Sequence, residues 1–238
     1  METKIKLQIS TALSVLFCIA LCLCILIFSI GLPIYCRPFY YTHIDSLDMA
    51  ESSGFSKSEI KDSYNELLDF LTLPDREFST GVMACSAEAE SHFVDCKLLF
   101  DLNLAVFSVS LLILITLIVL QKSGKVKGFN LGKRHASFYS GLLALVIPVV
   151  VGALAAIDFD RAFSVFHKVF FPGKDNWIFD PVTDEIIKVM PVEFFMNCAI
   201  LIGVSIVCLS VILIVAEVIR CNIGKTRNKY SVELNKSI

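Results

Sequence analysis

Charge is scarce in this chain and missing from long stretches of it. Asp, Glu, Lys and Arg make up 18% of the 238 residues. Four runs hold none of them: Leu7 to Cys36, Leu102 to Gln121, Ala136 to Ile157, and Phe194 to Ala216. Uncharged runs of this length exclude an ordinary soluble domain, and the hydrophobic content of 55% and mean hydropathy of +0.71 agree. Catalytic signatures are missing too. There is no H-E-x-x-H for zinc and no G-x-S-x-G elbow. Cys36, Cys85 and Cys96, the cysteines in or near the expected outer segments, form no C-x-x-C pair. A disulfide between two of the three stays open. Histidine occurs four times and tryptophan once.

The uncharged runs are what remains to be explained. Each is long enough to cross a hydrocarbon core of roughly 30 Å as a helix of about 20 residues. Helices are expected because hydrocarbon offers no partner to an exposed backbone amide. The runs lack the short alternation of a membrane barrel. The expected fold is therefore an all-α polytopic membrane protein with four spans, at about 9–32, 102–121, 136–157 and 194–216. The first run exceeds a signal peptide's apolar core and has no clear cleavage site, so it is read as a retained span ended by Gly31-Leu32-Pro33.

Orientation follows from the positive residues. The link 122–135 carries Lys122, Lys125, Lys127, Lys133 and Arg134 without an acid, and the tail carries Arg220, Lys225, Arg227 and Lys229. Both are expected to be cytoplasmic, as are both termini. Segments 33–101 and 158–193 then face outward, and residues 1–238 form one membrane domain. The positive residues read as anchors near anionic lipid rather than a nucleic-acid patch. Glu217, at the inner edge of span four, reads as an interfacial charge.

The outer segments are patterned. Ile60, Tyr64, Leu67, Leu68 and Leu71 recur at helical spacing after a Ser56/Glu59 capping-box signature, and Pro74 follows. This helix is expected to pack or to lie at an interface. AEAESHFVDCKLLFDL has no Pro or Gly and runs into span two as one helix. It places Glu88, His92, Asp95 and Cys96 near one face. Phe163, His167 and Phe171 form a stripe on a short helix broken by Pro172-Gly173. Trp177 suits a membrane boundary. Asp184 to Met190 is a further short helix, and Pro191 fits the first turn of span four.

Folding of both outer segments over the bundle would unite His92 and His167. Two imidazoles can divide acid and base duties, since imidazole titrates near working pH. Asp95, three residues on, can orient His92. A His-His-Asp95 metal site is an alternative that the spacing does not specify. Solvated or merely packed histidines are the plain alternative for both rings. His43 and His135 have no such context.

The marks SHFVDCK, FSVFHKVFF, NWIFD and PVEFF, in this order against four spans, resemble the lipoprotein intramolecular transacylase family of bacterial membrane proteins. The resemblance covers roughly Leu13 to Glu217. It implies an enzyme without metal or cofactor at the outer face of the bacterial cytoplasmic membrane. The implied partners are membrane lipids and lipoproteins whose amino-terminal cysteine carries a diacylglyceryl group; no nucleic acid is implied. The implied reaction moves the sn-2 acyl chain to the α-amino group of the same cysteine. The family's two important histidines fall on His92 and His167, and its acid on Asp95. His92 is expected as the base and His167 as the oxyanion or leaving-group donor, with exchange of the roles left open. Tyr64, Asn65 and Trp177 are candidates for orienting the head region of the substrate. The family commonly has an apolar residue where this chain has Cys96. The rival readings are a hydrolase or transferase on another lipid ester, and a non-enzymatic scaffold or sensor that binds lipid.

Overall fold

The computed structural model describes the backbone of residues 2–236 and, within it, the side chains of residues 9–146 and 148–224. In chain order the elements are helices α1 (Glu2–Tyr35), α2 (Arg37–Ser46), α3 (Met49–Ser53), α4 (Lys57–Thr72) and α5 (Ala87–Lys122). A two-stranded hairpin follows, β1 (Asn130–Leu131) with β2 (Arg134–His135). Then come α6 (Ala136–Ile157), α7 (Phe159–Phe170), a 3-10 turn (Glu185–Val189) and α8 (Val192–Lys236). The fold is all-α apart from the hairpin. Four helices, α1, α5, α6 and α8, are long and apolar enough to cross a membrane. Large apolar side chains stay exposed along them, among them Leu102, Val109, Leu112, Ile115 and Val119 on α5. A soluble surface rarely leaves so continuous an apolar stripe uncovered, whereas lipid covers it without cost.

Two local outcomes differ from the sequence-based expectation. Gly31-Leu32-Pro33 does not end the first helix, which runs on to Tyr35 with Pro33 inside it. Near a helix end the proline removes one donor, and the amide of Cys36 still reaches the carbonyl of Leu32 at 3.0 Å. The basic link holds the small hairpin, paired antiparallel with Asn130 opposite His135 and Leu131 opposite Arg134.

Contacts group the chain into two compact units. The first comprises Met1–Leu26, Phe107–Val149 and Ser205–Ile238. In it, Phe17 stacks on Phe129 with centroids 4.7 Å apart and meets His135 edge-on. The Ser140 hydroxyl donates to the carbonyls of Cys18 (3.0 Å) and Ala136 (3.1 Å). A Cβ on Gly141 would lie 2.9 Å from the carbonyl oxygen of Ser210, so a side chain there would push α6 and α8 apart. Glu217, expected as an interfacial charge at the inner edge of span four, is buried. Its side chain is 3% exposed; it accepts from the backbone amide of His135 (2.8 Å) and from the guanidinium of Arg220 (2.6 and 2.9 Å).

The second unit comprises Ile27–Val106 and Val150–Val204. Its core joins Tyr40, Ile44, Met49, Ile60, Tyr64, Leu67, Leu68, Leu71, Phe93, Ile186, Val189 and Phe194. The stripe of α4 supplies the centre of this core, so the expected packing role holds. The capping box is formed: the Glu59 amide donates to Ser56 Oγ (3.3 Å), and the Ser56 amide donates to Glu59 Oε2 (2.8 Å). At the other end of α4 the Lys97 ammonium of α5 donates to the carbonyls of Phe70 and Leu73, satisfying acceptors that a helix end leaves free.

Candidate active site

The charge-free part of α5 begins at Leu102, so residues 87–101, with Glu88, Glu90, Asp95, Lys97 and Asp101, form a polar extension beyond the span. Its start is fixed by the 3-10 segment. Ser86 caps the helix, its hydroxyl accepting from the Ala89 amide (3.2 Å). The buried carboxylate of Asp184 accepts the Ser86 amide (2.7 Å), and Glu185 exchanges hydrogen bonds with Ala84 (2.9 and 3.0 Å). These bonds tie the segment after α7 to the start of α5. Helix α7 is capped by Asp158, which accepts the Arg161 amide (2.9 Å), and the turn after its last residue, Phe170, passes through Gly173 at a positive φ of 74°.

This scaffold brings the two predicted histidines together. The ring centroids of His92 and His167 lie 5.7 Å apart, and both side chains are buried. Aromatic rings enclose them. Phe171 lies 4.8 Å from His92 and 5.8 Å from His167, and Phe179 meets His92 edge-on at 5.6 Å. Trp177 stacks on His167 at 4.6 Å, with Phe163 at 4.3 Å.

The two rings are held differently. Nδ1 of His167 donates to the Phe163 carbonyl at 2.8 Å. A carbonyl only accepts, so this nitrogen carries the proton, and Nε2 of the neutral ring keeps its lone pair. Nε2 of His92 lies 3.4 Å from Sγ of Cys96, one helical turn on. Its Nδ1 is buried and has no hydrogen-bond partner among the described residues. Burial pushes the pKa of His92 down to about 4, with His167 acting in the same sense, Asp95 opposing, and Lys174 lowering it further. Burial also lowers His167, and its bond to the Phe163 carbonyl partly offsets that. Both rings are therefore neutral at neutral pH, and His167 has the device that favours taking up a proton.

Asp95 lies beside the pair, but its hydrogen bonds go elsewhere. Its carboxylate accepts from the Lys174 ammonium (2.6 and 2.7 Å) and from the Asn176 amide (3.2 Å). The lysine bond holds its pKa down, against a smaller effect of burial. Asp95 thus fastens the turn after α7 to α5. Trp177 completes that turn, its indole N–H donating to the Lys174 carbonyl (3.1 Å). Glu88 points to solvent. Tyr64 is buried in the core, stacked on Tyr40 at 3.5 Å. Asn65 accepts from Arg37 (3.0 Å) and Tyr41 (2.7 Å). The bonds of Tyr64 and Asn65 thus serve α2 and α4. Among the described residues no group of three His, Cys, Asp or Glu is arranged to hold a metal ion.

Lys174, Asn176, Phe179 and Asp184 were not foreseen as partners of the pair. The PGKDN stretch signals a turn, but no local pattern says which helix the turn will meet.

Residues 15–195 match the family described as "Lipoprotein intramolecular transacylase Lit". No curated protein matches the chain. Among solved structures, the in meso structure of the membrane integral lipoprotein intramolecular transacylase Lit from Bacillus cereus is similar to it. That structure shares 25% identity at a TM-score of 0.80, over 92% of this chain and 98% of that one. Two variants of the same Bacillus cereus protein align at 24% identity. The one with a histidine-to-arginine change has a TM-score of 0.76 over 96% of this chain and 98% of that one. The one with a histidine-to-alanine change has 0.77 over 95% and 99%. The family match spans most of the sequence, from within the first apolar helix to the start of the fourth. This chain therefore belongs to the lipoprotein intramolecular transacylase family, a family of multi-pass membrane acyltransferases.

Proposed function

We propose that the protein transfers the sn-2 acyl chain of a diacylglyceryl-cysteine lipoprotein to the α-amino group of that same cysteine, at the outer face of the bacterial cytoplasmic membrane. The observation that carries this reading is the pair of neutral imidazoles, 5.7 Å apart in an aromatic enclosure. The nucleophile and the ester share one molecule, so holding them together supplies the proximity gain. What the protein adds is proton handling. The amine must lose a proton, the carbonyl oxygen gains charge, and the sn-2 glycerol oxygen must leave as an alcohol.

The hydrogen bonds favour one of the two role assignments left open by the sequence. His167, with Nδ1–H held by the Phe163 carbonyl, takes the amine proton on Nε2 and returns it to the glycerol oxygen. His92, kept neutral by burial, donates to the developing oxyanion. The N–C bond forms, the C–O bond breaks, and one proton moves from nitrogen to oxygen, with nothing released. The Lys174–Asp95 pair and the Trp177 stack hold the turn that frames the two rings. Acyl chains would lie along the exposed apolar flanks of the spans.

The test is an assay of purified protein in vesicles with a diacylglyceryl lipoprotein. Transfer blocks the free amino terminus without release of fatty acid. Release of fatty acid with the amino terminus still free would instead show a lipid-ester hydrolase.

A further inference from the structure

We propose that Cys96 is a positioning residue: its thiol donates to Nε2 of His92 and holds that ring in the Nδ1–H tautomer, which presents a proton to the oxyanion. The inference rests on the acyl-transfer reading above and adds to it the group that sets the donor.

Three observations support it. Sγ of Cys96 lies 3.4 Å from Nε2, and the i, i+4 spacing on α5 aligns the two side chains. The opposite nitrogen, Nδ1, is buried and unpartnered among the described residues, while His92 is 6% exposed. A hydrogen on Nδ1 is therefore not committed to any acceptor among the described residues. The direction of the Cys96 bond follows from its chemistry. Sulfur accepts weakly, whereas an imidazole lone pair accepts well, so S–H to nitrogen is the favoured order. Burial, aided by Asp95, pushes the Cys96 thiol up to about 12 and keeps its hydrogen in place. The same burial argues against a thioester intermediate, since thiolate is the nucleophilic form. A neutral imidazole held as a donor is an effective electrophile toward a carbonyl oxygen. An apolar residue at this position would leave Nε2 without this donor, so this chain carries a constraint of its own.

The experiment is a two-bond proton–nitrogen correlation spectrum of protein labelled with 15N-histidine, with His92 assigned from H92Q. Wild type and C96S should show an unprotonated Nε2 and a protonated Nδ1 for His92. C96A should show mixed or reversed tautomers, and kcat should fall about fivefold with KM little changed, the net worth of one hydrogen bond. C96S should restore the rate. A wild-type ring protonated at Nε2, or a C96A variant with unchanged tautomer or unchanged kcat, would overturn the assignment. The tautomer is read without substrate, so failure of this inference is distinguishable from failure of acyl transfer, which the product assay reads on wild type.

Discussion

The two imidazoles of the candidate site differ in what fixes their protons, and that difference separates their substitutions. Replacing His167 with Ala or Gln removes the proposed base, so both variants should lose about 100-fold or more in kcat. At His92 a glutamine keeps an N–H donor and an alanine does not, so H92Q should retain measurably more rate than H92A. Equal losses would argue against the donor role. Acid should also separate folded from unfolded protein. The pKa of His92 falls from 6.5 to about 4 on burial, so between these values the unfolded chain binds more protons. The stability supplied by the neutral ring is complete above about pH 6.5 and is lost as pH falls toward about 4. An NMR titration of His92 should show its midpoint well below 6.5, with apparent stability falling over the same window. The Asp95–Lys174 pair is partly exposed, at 16% and 48% of the side chains, so its worth is small. A double-mutant cycle with D95N and K174Q should give a coupling below about 1 kcal/mol in denaturant unfolding. At this scale the sequence was partly legible. His92 stood out as a titratable ring with carboxylates at helical spacing just before a span, and His167 as a ring within an aromatic stripe. Asp95 was assigned to His92 on helical spacing and on the family resemblance. That spacing could not reveal that Lys174 and Asn176, nearly eighty residues on, would take its oxygens.

Elements were read well wherever a local rule governs them. The capping box at Ser56 and the stripe on α4 are decided within a few residues, and both are formed. Ser56→Ala should therefore lower apparent stability by about 1 kcal/mol, read as a reduced unfolding midpoint in detergent. Acyl transfer should survive that change, because the cap lies on α4 and not among the residues around the rings. Pro172-Gly173 ends the histidine-bearing helix as its composition indicates, and the polar extension of α5 follows from its lack of Pro and Gly. The misreadings have different causes. Pro33 was taken as a stop, yet a proline near a helix end removes only one bond and the next turn closes around it. Glu217 was read as an interfacial charge from its place at the end of an uncharged run; Arg220 lies one turn on along the same helix, but the His135 amide that helps to bury the carboxylate meets it only through folding. Tyr64 and Asn65, candidates for orienting the substrate, are engaged by the ring of Tyr40 and by Arg37 and Tyr41 respectively.

For the whole molecule, the absence of charge over four long runs determined most of what was legible. It required helices, and it divides the chain into apolar spans with patterned segments between them. How those segments meet depends on long-range bonds such as Asp184 to Ser86, which no local period encodes. The family match and the similarity to a solved transacylase agree with four apolar helices. The central claim is that the acyl chain never leaves the molecule it started on. It is tested by mixing two diacylglyceryl lipoproteins, one with an isotopically heavy sn-2 chain and one with a distinguishable peptide, in vesicles with the protein. The account predicts amino-terminal lipopeptides of unchanged mass, with the heavy chain amide-linked only on the peptide that carried it, and no transfer by H167Q. Heavy chain on the other peptide, or loss of its mass as free fatty acid, would contradict it.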